Sequence, residues 1–150
     1  MTPPSMTIDT LEHTPQQELD DIFRNAASGP IPTGEGKGTV IFAPDTVLTE
    51  TAAKLVHLIA WQGKVFDSAT GTLRNEVGPL GDLAIRAKVY HDSSWFDGQD
   101  AIILDYSHTS LIAHWIRDEI REVAPHLYLG IVFWEHNKIL DFALDFSASS

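Results

Sequence analysis

The chain of 150 residues contains no cysteine. Disulfides, thiolate metal sites and a thiol nucleophile are excluded, and the expected setting is a reducing cytoplasm. Positive charge is scarce. Ten Lys and Arg stand against 21 Asp and Glu, a formal net charge of −11. Nucleic acid is set aside as a main partner, because phosphate binding needs clustered basic side chains. No apolar run reaches the roughly 18 residues that a membrane-spanning helix requires. The N-terminal "MTPPSMTIDTLEH" lacks the basic start and apolar core of a secretory signal. The seven histidines include no His-Glu-x-x-His pair, so no metal is expected. No Gly-x-Ser-x-Gly elbow is present. "GEGKG" (34–38) lacks both a preceding strand and the Lys-Ser/Thr ending of a phosphate loop, and it reads as a linker. No cofactor is expected.

What is present is 43% hydrophobic and 21% charged, the composition of a globular domain. Residues 1–13 are polar and read as a loose N-terminal segment; 14–150 read as a single domain. "TPQQELDDIFRNAASGP" predicts a helix capped at Thr14, with Leu19, Ile22, Phe23 and Ala26 on one face. "TVIFA" predicts a strand. "TETAAKLVHLIAW" predicts a second helix, and the apolar spacing of Ile112, Trp115, Ile116, Ile120 and Val123 a third, over about Ser110–Val123. That third helix would carry His114, Arg117, Asp118 and Arg121 along an opposite stripe.

Two hairpins complete the pattern. Asp97-Gly98 is a favoured two-residue turn. In that register Tyr90 faces Asp105, and alternation puts Arg86, Lys88, Tyr90 and Asp105 on one polar face. In the second hairpin a turn at His136-Asn137 sets Glu135 opposite Lys138. One face is then wholly apolar, from Leu127 to Phe146. The other joins Tyr128, Trp134, Asp141 and Asp145 around Gly130, whose missing side chain marks a bulge or close approach of a ligand. The expected fold class is α+β: a curved antiparallel β-sheet or β-barrel built on two long hairpins, with about three amphipathic helices. Whether its polar faces line a pocket or meet solvent is left open by alternation alone.

"LIAWQGKVF" (Leu58–Phe66), "AIILDYS" and "LYLGIVFW…FALDF" together resemble the small bacterial proteins with a GXWXG-type region and an adjoining domain of unknown function, over residues 35 to 146. The GXWXG signature itself is absent. More broadly the pattern is similar to calycin-like barrels of the lipocalin and nitrobindin group. That resemblance implies a pocket for a small hydrophobic ligand; it implies no particular chemistry.

Two functional expectations follow. The first is cofactor-free acid/base chemistry in a barrel pocket, as in an isomerase, cyclase or lyase, with Asp105, Tyr90, Lys88 and Arg86 as catalytic candidates. A carboxylate in an apolar pocket serves as a general base, and a tyrosine hydroxyl supports a developing oxyanion. The second is a non-catalytic carrier or sensor of a hydrophobic small molecule. Trp61, Trp95, Phe96, Tyr106, Tyr128, Trp134 and Asp141 are the candidate ligand contacts. A homodimer stays open as an assembly.

Overall fold

The structure is a computed structural model and describes residues 6–42, 64–75, 85–107 and 116–147. Helices α1 (Ile8–Glu12) and α2 (Gln16–Asn25) precede eight strands: β1 (Gly34–Phe42), β2 (Lys64–Asp67), β3 (Thr72–Asn75), β4 (Ile85–Ser93), β5 (Asp100–Asp105), β6 (Ile116–Ala124), β7 (Leu127–Trp134) and β8 (Asn137–Asp145). Each strand pairs antiparallel with the next, and β8 returns to β1, so the sheet closes into a barrel. Closure leaves no sheet edge with unpaired backbone groups.

Several elements differ from the sequence expectation. The third helix is not formed over 116–124, where the chain runs as β6. Residues 110–115 and the predicted helix over 49–61 lie outside the described residues. "GEGKG" is the first half of β1 rather than a linker. Residues 8–12 form α1 within the segment read as loose, because Leu11 is buried against the barrel wall together with Leu19 and Phe23 of α2.

The barrel has two apolar cores, one on each side of its wall. Inside lie Phe66, Leu73, Val89, Leu104, Ile120 and Phe142 with their neighbours. Outside, Leu11, Leu19 and Phe23 cover Leu129, Ile131 and Phe133 of β7. The β7–β8 turn is Glu135-His136, both at positive φ (50° and 73°), with Trp134 paired to Asn137. A shift between Val132 and Phe133 then sets Gly130 against Phe142 and Tyr128 against Leu144. The expected register is therefore wrong by one residue, and a one-residue slip exchanges faces. The predicted apolar face divides. Its β7 members meet the helices, and Leu140, Phe142 and Leu144 of β8, with Phe146 just after it, fill the interior. Tyr128 opposes Leu144, not Asp145.

Gly130 makes room for the protein's own ring: a Cβ there would lie 2.3 Å from Phe142 Cζ. Gly36 does the same for Phe146, at 2.5 Å. Phe146 packs edge-on against Phe66 and Tyr128, with centroids 5.3 Å and 5.5 Å away. The Tyr128 hydroxyl donates to Pro30 O at 2.7 Å, and Ile31 packs on the interior cluster. These residues plug one end of the barrel, where the strands are joined through 68–71, 94–99 and 125–126. At the opposite end β1, β3 and β5 stop and β2, β4 and β6 begin.

Phe142→Ala should cost about 3–5 kcal/mol, and Gly130→Ala about 1–3 kcal/mol by overpacking the same ring. Because the two changes share one space, urea denaturation of the double variant should give less than the summed loss. Strict additivity would show that Gly130 and Phe142 do not meet.

Candidate functional site

Among the described residues, three polar side chains enter the interior near the end where β2 and β6 begin. Lys64 opens β2 and faces inward because Phe66, two residues on, does; strand alternation fixes both. Asp118 lies between Ile116 and Ile120 on the inward side of β6. Tyr106 follows β5 in phase with Ile102 and Leu104. All three are fully buried. Lys64 Nζ donates to the Tyr106 hydroxyl at 3.0 Å and stands 3.7 Å from Asp118 Oδ2. The Tyr106 and Phe142 rings lie 5.7 Å and 5.9 Å from the same nitrogen. Neither Asp118 oxygen has a hydrogen-bond partner at normal distance among the described residues, which is costly for a buried carboxylate.

Burial shifts both partners toward neutrality. It raises the Asp118 carboxyl to about 6, against the opposing pull of Lys64 and Tyr106. It lowers the Lys64 ammonium to about 8, with Asp118 pulling the other way. An acid and a base poised on either side of neutral pH can exchange protons with a bound molecule, while the tyrosine hydroxyl and lysine supply hydrogen-bond donors.

The outward side of β6 is also charged, and it performs a structural task. Arg121 is fully buried, and five hydrogen bonds use its guanidinium: two to the Asp97 carboxylate at 2.6 and 2.7 Å, and one each to Phe23 O, Asp100 O and Gln99 O. Glu119 accepts from the Ser94 hydroxyl, the Trp95 amide and Arg117 Nε. The 94–99 loop is thus held on the outer wall. It is a six-residue connection between Ser93 and Asp100, not the two-residue turn expected, because Asp97 is occupied by Arg121. The resulting register pairs Tyr90 with Ile103. A shift of two residues preserves the faces, and Tyr90 still reaches Asp105 Oδ2 at 2.8 Å.

The structure places the sequence-derived candidates as follows. Arg86, Lys88, Tyr90 and Asp105 share the outer face, opposite Val89 and Leu104. Asp105 there also accepts the Ser107 amide at 2.9 Å. Burial and the hydrogen bond to Asp105 push the Tyr90 hydroxyl up to about 12. Trp95, 42% exposed, stacks on His136 at 3.8 Å with Arg117 4.2 Å from its ring. Phe96 packs edge-on to Phe23 and under Arg24. Both aromatics fasten the loop to the outer wall. Asp141 is buried on the outer side, 3.1 Å from Lys138. Tyr106 and Tyr128 lie inside but toward opposite ends, and Trp134 packs half-buried against the interior cluster. Trp61 lies outside the described residues. An open groove of about 470 Å³ outside the barrel is lined in part by Glu18, Asp21, Ile22 and Glu122.

Sequence reasoning missed Lys64 and Asp118. Alternation was the available signal: Lys-Val-Phe and Ile-Arg-Asp-Glu-Ile each set one charge in phase with apolar residues.

No family model matches the chain, and no curated protein matches it. Among solved structures, the crystal structure of a protein from Thermomonospora curvata is similar, with a TM-score of 0.61 and 16% identity over 92% of this chain and 91% of that one. That likeness extends to the fold, an antiparallel barrel.

Removing one member of the interior pair, as in Lys64→Met, should cost about 3–5 kcal/mol at pH 7, whereas Lys64→Met/Asp118→Leu should be neutral or stabilising. The raised Asp118 value makes stability fall as pH rises toward about 6, and the lowered Lys64 value makes it recover above about 8. The advantage of the double variant should therefore be greatest between those values. Urea denaturation at pH 5, 7 and 9 measures it; an advantage independent of pH would refute the assigned pair.

Proposed function

We propose that this chain is a calycin-like barrel enzyme that moves a proton on a small, mainly apolar molecule held in the barrel, as an isomerase, cyclase or lyase does. The observation that carries this reading is Asp118: a fully buried carboxylate whose oxygens make no close hydrogen bond among the described residues, held at longer range by Lys64 and Tyr106 beside apolar inward-facing residues. Asp118 is the general base, and Tyr106 with Lys64 holds the oxygen on which charge develops. The outer Tyr90–Asp105 cluster is the second candidate for the same chemistry. It has the hydrogen-bonded carboxylate but sits in a half-buried setting on the barrel wall.

The runner-up is a carrier of a hydrophobic small molecule. It is favoured by the aromatic surroundings of Lys64, the rings of Tyr106 and Phe142, with Trp134 on the interior cluster.

Deuterium uptake from D2O into a panel of small ketones, enones and unsaturated esters, followed by NMR, tests the reading without knowledge of the natural substrate. Asp118→Asn should lower catalysed exchange by roughly 10²–10⁴-fold, and Asp105→Asn should leave it nearly unchanged. The reverse order would move the site to the outer wall. Saturable binding with no exchange would leave the carrier.

A further inference from the structure

We propose that Lys64 is a covalent capture site: its amine condenses with the carbonyl group of a neutral, mainly apolar aldehyde or ketone, with Asp118 carrying the proton. The inference rests on the interior site described above and names its substrate class.

Charge selects a neutral molecule. Lys64 and Asp118 together sum to zero when ionised, and a carboxylate or phosphate ligand would add a third charge to a fully buried site. A carbonyl adds none. Its oxygen can accept from the Tyr106 hydroxyl, and its apolar remainder suits the Phe142 and Tyr106 rings beside Nζ. The same surroundings suit Lys64 as a nucleophile, since a desolvated lysine retains more of the neutral amine than an exposed one. Lys37 and Lys88, on the barrel exterior, are exposed.

The step balances without a redox partner. The Nζ lone pair adds to the carbonyl carbon, and the C=O π pair moves to oxygen. Asp118, 3.7 Å from Nζ, takes a proton from nitrogen and passes it to the oxygen, giving the neutral carbinolamine, and then takes the second proton from nitrogen. Asp118 then returns its proton to the hydroxyl, which leaves as water as the C=N bond forms. Amine and carbonyl give imine and water. The protonated imine acidifies the neighbouring C–H, the proton that Asp118 is proposed to move.

The test treats the full chain with octanal and sodium cyanoborohydride at pH 7.5, followed by peptide mapping, with melting temperature recorded with octanal alone. The Lys64 peptide should be alkylated at least about tenfold faster than those of Lys37 and Lys88, since the lower pKa enriches the neutral amine. Lys64→Arg keeps the charge and should lose that adduct; where it fails to fold, the map of the unaltered protein decides. Asp118→Asn should slow labelling of Lys64 without moving it elsewhere. Labelling spread evenly over exposed lysines, with Lys64 unmodified in folded protein, overturns the imine. If octanal still raises the melting temperature in that case, interior binding survives and only covalent capture falls. Absence of both the adduct and the shift across a panel of apolar carbonyl compounds counts against the interior site as well.

Discussion

The buried guanidinium of Arg121 ties together three parts of the chain that are distant in sequence. Its five N–H donors reach the Asp97 carboxylate, two carbonyls at the start of β5 and its loop, and Phe23 O near the end of α2. A guanidinium always carries charge in a protein, so burying it requires that every donor find a partner at once. That requirement fixes the path of the 94–99 loop, sets the loop length between β4 and β5, and seats the last turn of α2. The Phe23 ring lies 4.3 Å from the same guanidinium, joining the polar clamp to the apolar layer that covers β7.

Beta strand β6 is charged on both sides of the wall and buried on both. Outside, Glu119 and Arg121 are compensated by backbone groups and opposite charges. Inside, Asp118 has an ion partner at 3.7 Å but no close hydrogen bond among the described residues. The two sides differ in consequence. A fully satisfied network rigidifies a fold, whereas a partly satisfied one is an expensive way to hold a barrel together. The outer cluster has a structural explanation complete in itself. Among the described residues the inner carboxylate has no such complete set of close hydrogen bonds.

The barrel is also graded along its axis. Phe66, Tyr128, Phe146 and Ile31 fill the end where β2 and β8 stop and β7 begins, where Gly36 lets Phe146 approach the backbone. Lys64 and Asp118 stand near the beginnings of β2 and β6, toward the other end. In the proposed reading, the apolar plug at one end and the acid–base pair toward the other orient the small molecule, its carbonyl toward Tyr106 and Lys64 and its hydrocarbon part toward the rings.

By itself the sequence determined that the chain is rich in paired apolar faces, that α2 exists with Leu19 and Phe23 on its inner side, and that the sheet is antiparallel and curved. Alternation and helix periodicity are local and survive without tertiary information. It also carried the Tyr90–Asp105 contact, because a two-residue change of register leaves every side chain on its face. Tertiary structure alone decided the rest. Residues 116–124 satisfy a helical period and a strand period, and their choice depends on polar partners elsewhere: Asp97, Ser94 and Lys64 compensate the buried Arg121, Glu119 and Asp118 of a strand. The β7–β8 register turned on which two residues adopt positive φ, and a step of one residue moved Tyr128 away from Asp145. Lys64 and Asp118 are 54 positions apart on strands that are not neighbours in the sheet. Only closure of the barrel brings such residues across a shared interior, so no local pattern could have joined them.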